Sequence, residues 1–275
     1  MTDRLSRRQF IAVSALGTAG LAFSQMPAVA QQADGASYTF AAIADPHLRE
    51  DREGEPTGVE KFHALLARLE EEAPEAEFGL LLGDIHPDKL GPLMPEIDLP
   101  LRVVHGNHER DAHRDMLREI FPEDLGEQDY YAFERGEDLF LGMCTAIPGD
   151  HVGHFQSQHI NPSTQQLAWL EELLARRDEW RHVFAYAHIP PEEQNRPSGM
   201  CLAQNDGRWL HELVTQTVPT AMFFGHRHRQ IDFEIATVPV YGVRSCNWNF
   251  DSEPIGCTVV TVEPERVETR FLATQ

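Results

Sequence analysis

Short apolar runs alternate with amphipathic stretches along most of the chain. Tyr38–Ala44, Phe78–Leu82, Leu101–His105, His182–Ala187 and Thr220–Phe224 are too short for helices and have no polar face. They predict strands buried on both sides. Between them, residues 57–73 set Val59, Phe62, Leu65, Leu66 and Leu69 at helical spacing, with Thr57 as N-cap and Pro74 just beyond the end. Further helices are predicted from about Glu109 to Ile120, before Pro122, and over Asp206–Thr217. The fullest helix signal follows Pro162: Ser163 and Gln166 have capping-box spacing, and Leu167, Leu170, Leu173 and Leu174 form a stripe. Tyr130–Glu134 and Leu139–Cys144 straddle Gly136 as a hairpin, and Gln230–Leu272 reads as successive antiparallel strands. Two sheets packed face to face, with helices outside, follow from that order. Two long loops, Ala146–Pro162 and Ile189–Asn205, have the length that is commonly functional.

The first thirty residues break the pattern. Arg4, Arg7 and Arg8 precede an apolar run from Phe10 to Phe23, and then come Pro27 and Ala28-Val29-Ala30. This is the order of a cleavable signal peptide, with removal expected after Ala30. Ser6-Arg7-Arg8-Gln9-Phe10-Ile11 resembles a twin-arginine signal, which implies the twin-arginine export machinery as partner of the precursor and a periplasmic or secreted product. The alternative, an uncleaved anchor, has a run short of the roughly 20 residues that span a bilayer. No later stretch predicts a membrane span. With no repeat or linker, residues 31–275 read as one domain after a leader at 1–30.

The chain carries 44 acidic against 23 basic residues, for a net charge of −21. The leader is itself net positive, so the remainder is more acidic still. Such a field opposes nucleic acid and anionic lipid, and favours a small substrate that meets local positive charge. Of the four cysteines, Cys144 and Cys257 sit in apolar strand-like runs, which leaves Cys201 and Cys246 as the one pair to consider for a disulfide.

Five polar clusters each follow an apolar run: Asp45-Pro46-His47, Gly83-Asp84, Gly106-Asn107-His108-Glu109, His188, and Gly225-His226-Arg227-His228. Singly, each has a plain structural explanation as a turn or a hydrogen-bonded histidine. Together they place carboxylates and imidazoles at strand ends facing one crevice, where open α/β sheets hold their ligands. Asp-x-His and His-x-His residues would point the same way from an extended backbone. Mixed imidazole and carboxylate donors suit Fe, Mn or Zn without choosing among them.

These clusters, in this order, resemble the pattern of the calcineurin-like metallophosphoesterases. The resemblance covers roughly residues 38–230 and implies an α/β fold: a four-layer α/β/β/α sandwich of two mixed β-sheets flanked by helices. It also implies two metal ions, one on Asp45, His47, Asp84 and His228, the other on Asp84, Asn107, His188 and His226. Asp84 would bridge, one oxygen to each ion. His108 would be the catalytic residue, facing the leaving-group oxygen as its proton donor, and a metal-bridging hydroxide would be the nucleophile. Two departures stand out. Purple acid phosphatases have Gly where this chain has His47, which sets that branch aside. Many relatives also carry an Asp three residues after the bridging Asp to orient the catalytic histidine; here that position is Pro87. Asp88 or Glu109 takes the role, or the dyad is missing.

The function expected is metal-dependent hydrolysis of small-molecule phosphoesters, with diesters ahead of monoesters. A periplasmic phosphomonoesterase on the same site is the alternative within that class, and a non-catalytic metal-binding scaffold is the alternative outside it. His151, His154 and His159 in the first long loop, and Asn247, Trp248, Asn249, Arg196 and Arg244, are candidates to line the mouth or clamp a phosphate.

Overall fold

A computed structural model describes residues 35–126, 128–155, 165–191 and 199–274. The expected leader and its cleavage point, Ser163 of the expected helix cap, His159 and Arg196 lie outside the described residues.

Among the described residues, eleven strands form two sheets. The first holds β1 (Tyr38–Ile43), β2 (Ala76–Leu81), β3 (Leu101–Val103), β10 (Gly256–Glu263) and β11 (Arg266–Ala273), in the order β11-β10-β1-β2-β3. The second runs β4-β5-β6-β7-β9-β8, built from β4 (Tyr131–Arg135), β5 (Asp138–Gly142), β6 (Val183–Ala187), β7 (Ala221–Phe224), β8 (Ile231–Ile235) and β9 (Val238–Gly242). Each is mixed: β1, β2 and β3 are parallel to one another, as are β5, β6, β7 and β9, while their outer neighbours run antiparallel. The expected sandwich of two mixed sheets with flanking helices is what forms.

The continuous apolar runs are explained by burial on both faces of the second sheet. Phe140, Phe184 and Phe223 face the first sheet, whereas their neighbours Leu139, Leu141, Ala185, Met222 and Phe224 join a separate cluster beneath the helices. Phe40 of β1 meets Phe140, Phe184 and Phe223 edge-on at ring separations of 5.4, 5.6 and 5.7 Å. Helices α4 (Gln166–Leu174) and α5 (Gln204–Thr217) supply Leu170, Leu173, Leu210 and Val214 to the outer cluster. Helices α1 (Gly58–Glu72), α2 (Pro87–Leu93) and α3 (Asp111–Ile120) supply Phe62, Leu65, Leu90 and Leu117 to the core of the first sheet.

Local sequence decides the helix ends. Thr57 caps α1 with a full capping box, its hydroxyl accepting the Glu60 N–H while Glu60 accepts the Thr57 N–H. The expected box at α4 is different: Gln166 turns its amide onto Cys144, accepting its N–H at 2.8 Å and donating to its carbonyl at 3.0 Å. It ties α4 to the end of β5. Helix α2 has no counterpart among the expected elements, because seven residues with prolines at both ends show no periodicity. The last third is not a simple antiparallel run either. The hairpins β8–β9 and β10–β11 separate, β9 pairing parallel with β7 and β10 antiparallel with β1. Between them Ser245 bridges to Ala44, beside the first cluster of polar residues.

Candidate metal centre

Strands from both sheets end at one crevice. Asp45 and His47 follow β1, Asp84 follows β2, Asn107 and His108 follow β3, His188 follows β6, and His226 and His228 follow β7. All but His108 are buried, none of them more than 4% exposed. Asp45, His47, Asp84 and His228 offer donor atoms within 4.8 Å of one another, and so do Asp84, His188 and His226. Asn107 Oδ1 joins the second group, 3.0 Å from His188 Nε2. Asp84 is common to both, though not through one oxygen for each. Its Oδ2 lies 3.5 Å from His47 Nε2 and 3.3 Å from His188 Nε2, while Oδ1 accepts the His108 N–H at 2.9 Å. A single oxygen faces both groups because the backbone holds the other.

Convergence does not come from extended backbone. Asp45, His47, Asp84, His226 and His228 have φ of 50°, 40°, 54°, 70° and 46°. For side-chain-bearing residues this left-handed region costs about 1–2 kcal/mol each. Hydrogen bonds offset the strain. Asp45 accepts the His226 N–H, the His47 N–H donates to the Asp84 carbonyl at 2.9 Å, and the buried Glu109 carboxylate gathers four amides. Those amides belong to Ile85 (2.7 Å), Gly106 (2.7 Å), Asp84 (3.0 Å) and His86 (3.2 Å). Gly106 is required by space, since a Cβ there would fall 2.2 Å from Asp84 Oδ1.

Each of the four imidazoles has an oxygen beside its outer nitrogen, hydrogen-bonded in three of them. His188 Nδ1 meets the Leu82 carbonyl at 2.7 Å, His228 Nδ1 the Trp248 carbonyl at 2.7 Å, and His226 Nε2 the His151 carbonyl at 3.0 Å. His47 Nδ1 lies 3.0 Å from Glu50 Oε1, an ion-pair contact outside hydrogen-bond geometry. A carbonyl or carboxylate can only accept, so these nitrogens carry the hydrogens and the opposite nitrogens present lone pairs. Those lone pairs face one another: His47 Nε2 is 3.0 Å from His228 Nε2, and His226 Nδ1 is 3.1 Å from His188 Nε2. Two bare nitrogens at such distances repel unless a proton or metal cation lies between them. The charges agree. Burial pushes Asp84 upward, but His188, His47 and His108 outweigh it and hold the carboxyl well below its usual range. Burial lowers His188, yet Asp84 raises it to about 9, while burial and His188 together drive His226 down to about 3. The donor set therefore fits two cations, one within each group.

His108 is the half-exposed member, with Nε2 3.9 Å from Asp84 Oδ2 and its ring edge-on to His47 at 4.9 Å. Neither acid considered for its partner reaches it. Asp88 pairs with Arg49 and lies 3.6 Å from His113, and Glu109 is committed to the four amides. Glu50 does reach it, 3.6 Å from His108 Nδ1. The sequence carried no motif for Glu50; its place three residues after His47 was the only available signal.

The mouth candidates separate into distinct roles. Asn247 is buried and clamps the backbone, donating to the carbonyls of His47 and Glu50 and accepting from Lys61. Asn249 closes its own turn on Ser245 and Pro254, and Arg244 pairs with Glu253. His154 pairs with Asp206, whereas His151 contributes its carbonyl to His226. Cys144, Cys246 and Cys257 are buried thiols outside any disulfide, so Cys246 does not pair with Cys201.

Two mixed sheets whose parallel strand ends gather two overlapping carboxylate–imidazole groups define an α/β sandwich with a dinuclear donor set. Residues 38–230 match the family model described as calcineurin-like phosphoesterase, and the chain belongs to that family. No curated protein matches it. Solved structures share the fold. A dimetal phosphatase from Danio rerio is 16% identical with a TM-score of 0.66, over 86% of this chain and 96% of that one. GAP50, the anchor in the inner membrane complex of Plasmodium, is 11% identical with a TM-score of 0.59, over 87% and 85%. A putative 5'-nucleotidase from Staphylococcus aureus, solved with alpha-ketoglutarate, is 15% identical with a TM-score of 0.55, over 87% of this chain and 54% of that one.

Proposed function

We propose that this protein hydrolyses small-molecule phosphoesters at a dinuclear metal centre, with diesters preferred to monoesters. The carrying observation is the pair of close imidazole contacts, 3.0 and 3.1 Å, between nitrogens whose ring partners each face an oxygen. Asp45, His47, Asp84 and His228 would hold one ion; Asp84, Asn107, His188 and His226 would hold the other. When bound, two such ions neutralise phosphate charge and lower the pKa of a water shared between them.

The residues of the chain supply the rest. Asp84 Oδ2 faces both donor groups, and its Oδ1 fixes the amide of His108 beside them. The imidazolium of His108 would stand at the leaving oxygen and give it a proton as the P–O bond breaks. Preference for diesters rests on charge: Arg244 and Arg49 are paired with Glu253 and Asp88, and Glu50 adds a negative group beside His108. A singly charged diester meets that surface at lower cost than a dianionic monoester. The phosphomonoesterase reading keeps the same ligands and differs only in this balance. The scaffold alternative keeps the fold and the metals without the chemistry, since a fold does not by itself establish a function.

Purified with its metals, the protein should turn over bis-p-nitrophenyl phosphate faster than p-nitrophenyl phosphate. The reverse order favours the monoesterase, and two bound metals with neither ester cleaved would favour the scaffold. We further propose export by the twin-arginine route to a periplasmic or secreted location, supported by Arg7-Arg8 before the apolar run. A chain folded around its ions before export takes up metal from the cytoplasm. Replacing Arg7 and Arg8 with lysine should then retain the precursor inside the cell.

A further inference from the structure

Neither Asp88 nor Glu109 reaches His108, whereas the loop after β1 brings the Glu50 carboxylate to it. We propose that Glu50 is the positioning residue for His108, holding the Nδ1 side of its ring so that Nε2 carries the transferable proton. The proposal rests on the general-acid reading of His108.

Geometry singles Glu50 out. Its Oε1 lies 3.0 Å from His47 Nδ1 and 3.6 Å from His108 Nδ1, and its Oε2 accepts the indole N–H of Trp248 at 3.3 Å. The residue is anchored from behind as well, since its carbonyl accepts from Asn247 at 3.2 Å. The 3.6 Å separation is ion-pair reach and longer than a hydrogen bond. Catalytic contacts of this kind tighten when substrate fills the site. A carboxylate on Nδ1 fixes that nitrogen as the N–H side, so the second proton of the imidazolium sits on Nε2. Nε2 is the nitrogen nearer Asp84, at 3.9 Å from Oδ2. The same carboxylate oxygen also faces His47, which links the orientation of a proposed metal ligand to that of the proposed acid.

A different use of these atoms is a third ion, since His47, Glu50, His86 and His108 offer donors within 4.8 Å of one another. That arrangement would make His47 bridge two metals through both ring nitrogens, which requires an imidazolate. An internal ion pair uses the same atoms with His47 keeping its proton. The position also explains the sequence. Pro87 starts α2 where the resemblance would place an acid, and the loop after β1 brings a carboxylate to His108 Nδ1.

The test compares Glu50→Gln, His108→Ala and the double variant of the full chain, each with metal content measured. Substrates are a nitrophenyl diester and an alkyl diester. We expect Glu50→Gln to keep two metals, to lower kcat on the alkyl ester about 10–100-fold, and to lower it far less on the nitrophenyl ester, whose leaving group needs no proton. In the His108→Ala background the same change should add no further leaving-group-dependent loss. Equal losses on both esters, or additive losses in the double variant, would overturn the assignment. So would a third equivalent of metal that disappears with Glu50. If His108→Ala shows no leaving-group dependence at all, the general-acid reading fails first, which a failure confined to Glu50→Gln distinguishes.

Discussion

The amide of His108 donates to Asp84 Oδ1 at 2.9 Å, so the carboxylate shared by both donor groups also fixes the backbone of the proposed acid. Its remaining oxygen, Oδ2, serves His47 and His188 together. Asp84→Asn should therefore damage two functions at once. Whichever way the amide turns, its NH₂ group opposes either the His108 N–H or the shared centre. We expect loss of at least one metal and of essentially all turnover. Elemental analysis finding two metals per chain, alongside normal kinetics, would rule out a shared role for Asp84.

His108→Ala should separate chemistry from metal binding. Its imidazole is half-exposed and supplies no donor to either of the two proposed ligand groups. We expect both metals to remain and turnover of alkyl esters to fall about 10²–10⁴-fold, the usual contribution of a positioned acid. The loss should shrink toward that of a bystander with p-nitrophenol as leaving group. Loss of metal from this variant would make His108 structural.

Much of this arrangement was readable from residue order. Five polar clusters after five apolar runs contain the seven proposed ligands and His108, which meet in the crevice, because strand ends are where a parallel sheet presents its ligands. What the order could not convey was how they meet. Left-handed backbone at Asp45, His47, Asp84, His226 and His228 has no signature in residues that ordinarily avoid it. Glu109 belonged visually to the helix that follows, yet tertiary contacts turn it back onto four amides and delay α3 to Asp111. Asn247 reaches the centre only through folding across 200 positions, as its bond to the His47 carbonyl shows, and Glu50, though close to His47 in sequence, belongs to no motif.

Glu109→Gln should unfold the protein more readily while leaving every proposed metal ligand in place. The carboxylate offers two oxygens, each accepting two amides. A glutamine offers one oxygen and turns an NH₂ donor toward two of those N–H groups. Leaving buried donors unpaired costs about 1–3 kcal/mol apiece, so a loss of about 2–5 kcal/mol is expected. Urea unfolding followed by circular dichroism reads it. A midpoint unchanged from the parent would show that the four amides find other partners.

Asp129 should make the fold acid-sensitive. It is buried, with His105 Nε2 at 3.1 Å, Arg114 Nη1 at 3.1 Å and Arg118 Nη2 at 2.6 Å. Arg114 in turn donates to the Glu109 and Ala146 carbonyls, so this acid stands behind the loop that carries Asn107 and His108. Burial alone would raise its pKa, but the three cationic or donating neighbours outweigh burial and hold it well below the ordinary value. The unfolded chain takes up the proton near pH 3.9, so the folded state is the weaker proton binder. The stabilisation is therefore complete above about pH 5 and is lost as the pH falls through 3.9 toward the folded value, by on the order of 2–3 kcal/mol for a paired aspartate. Asp129→Asn should flatten the decline in urea stability between pH 5 and pH 3. At pH 7 it should cost about 3–5 kcal/mol, because Arg114 is left buried beside a neutral amide. An identical slope in parent and variant would mean that other carboxylates, and not Asp129, set the acid limit of the fold.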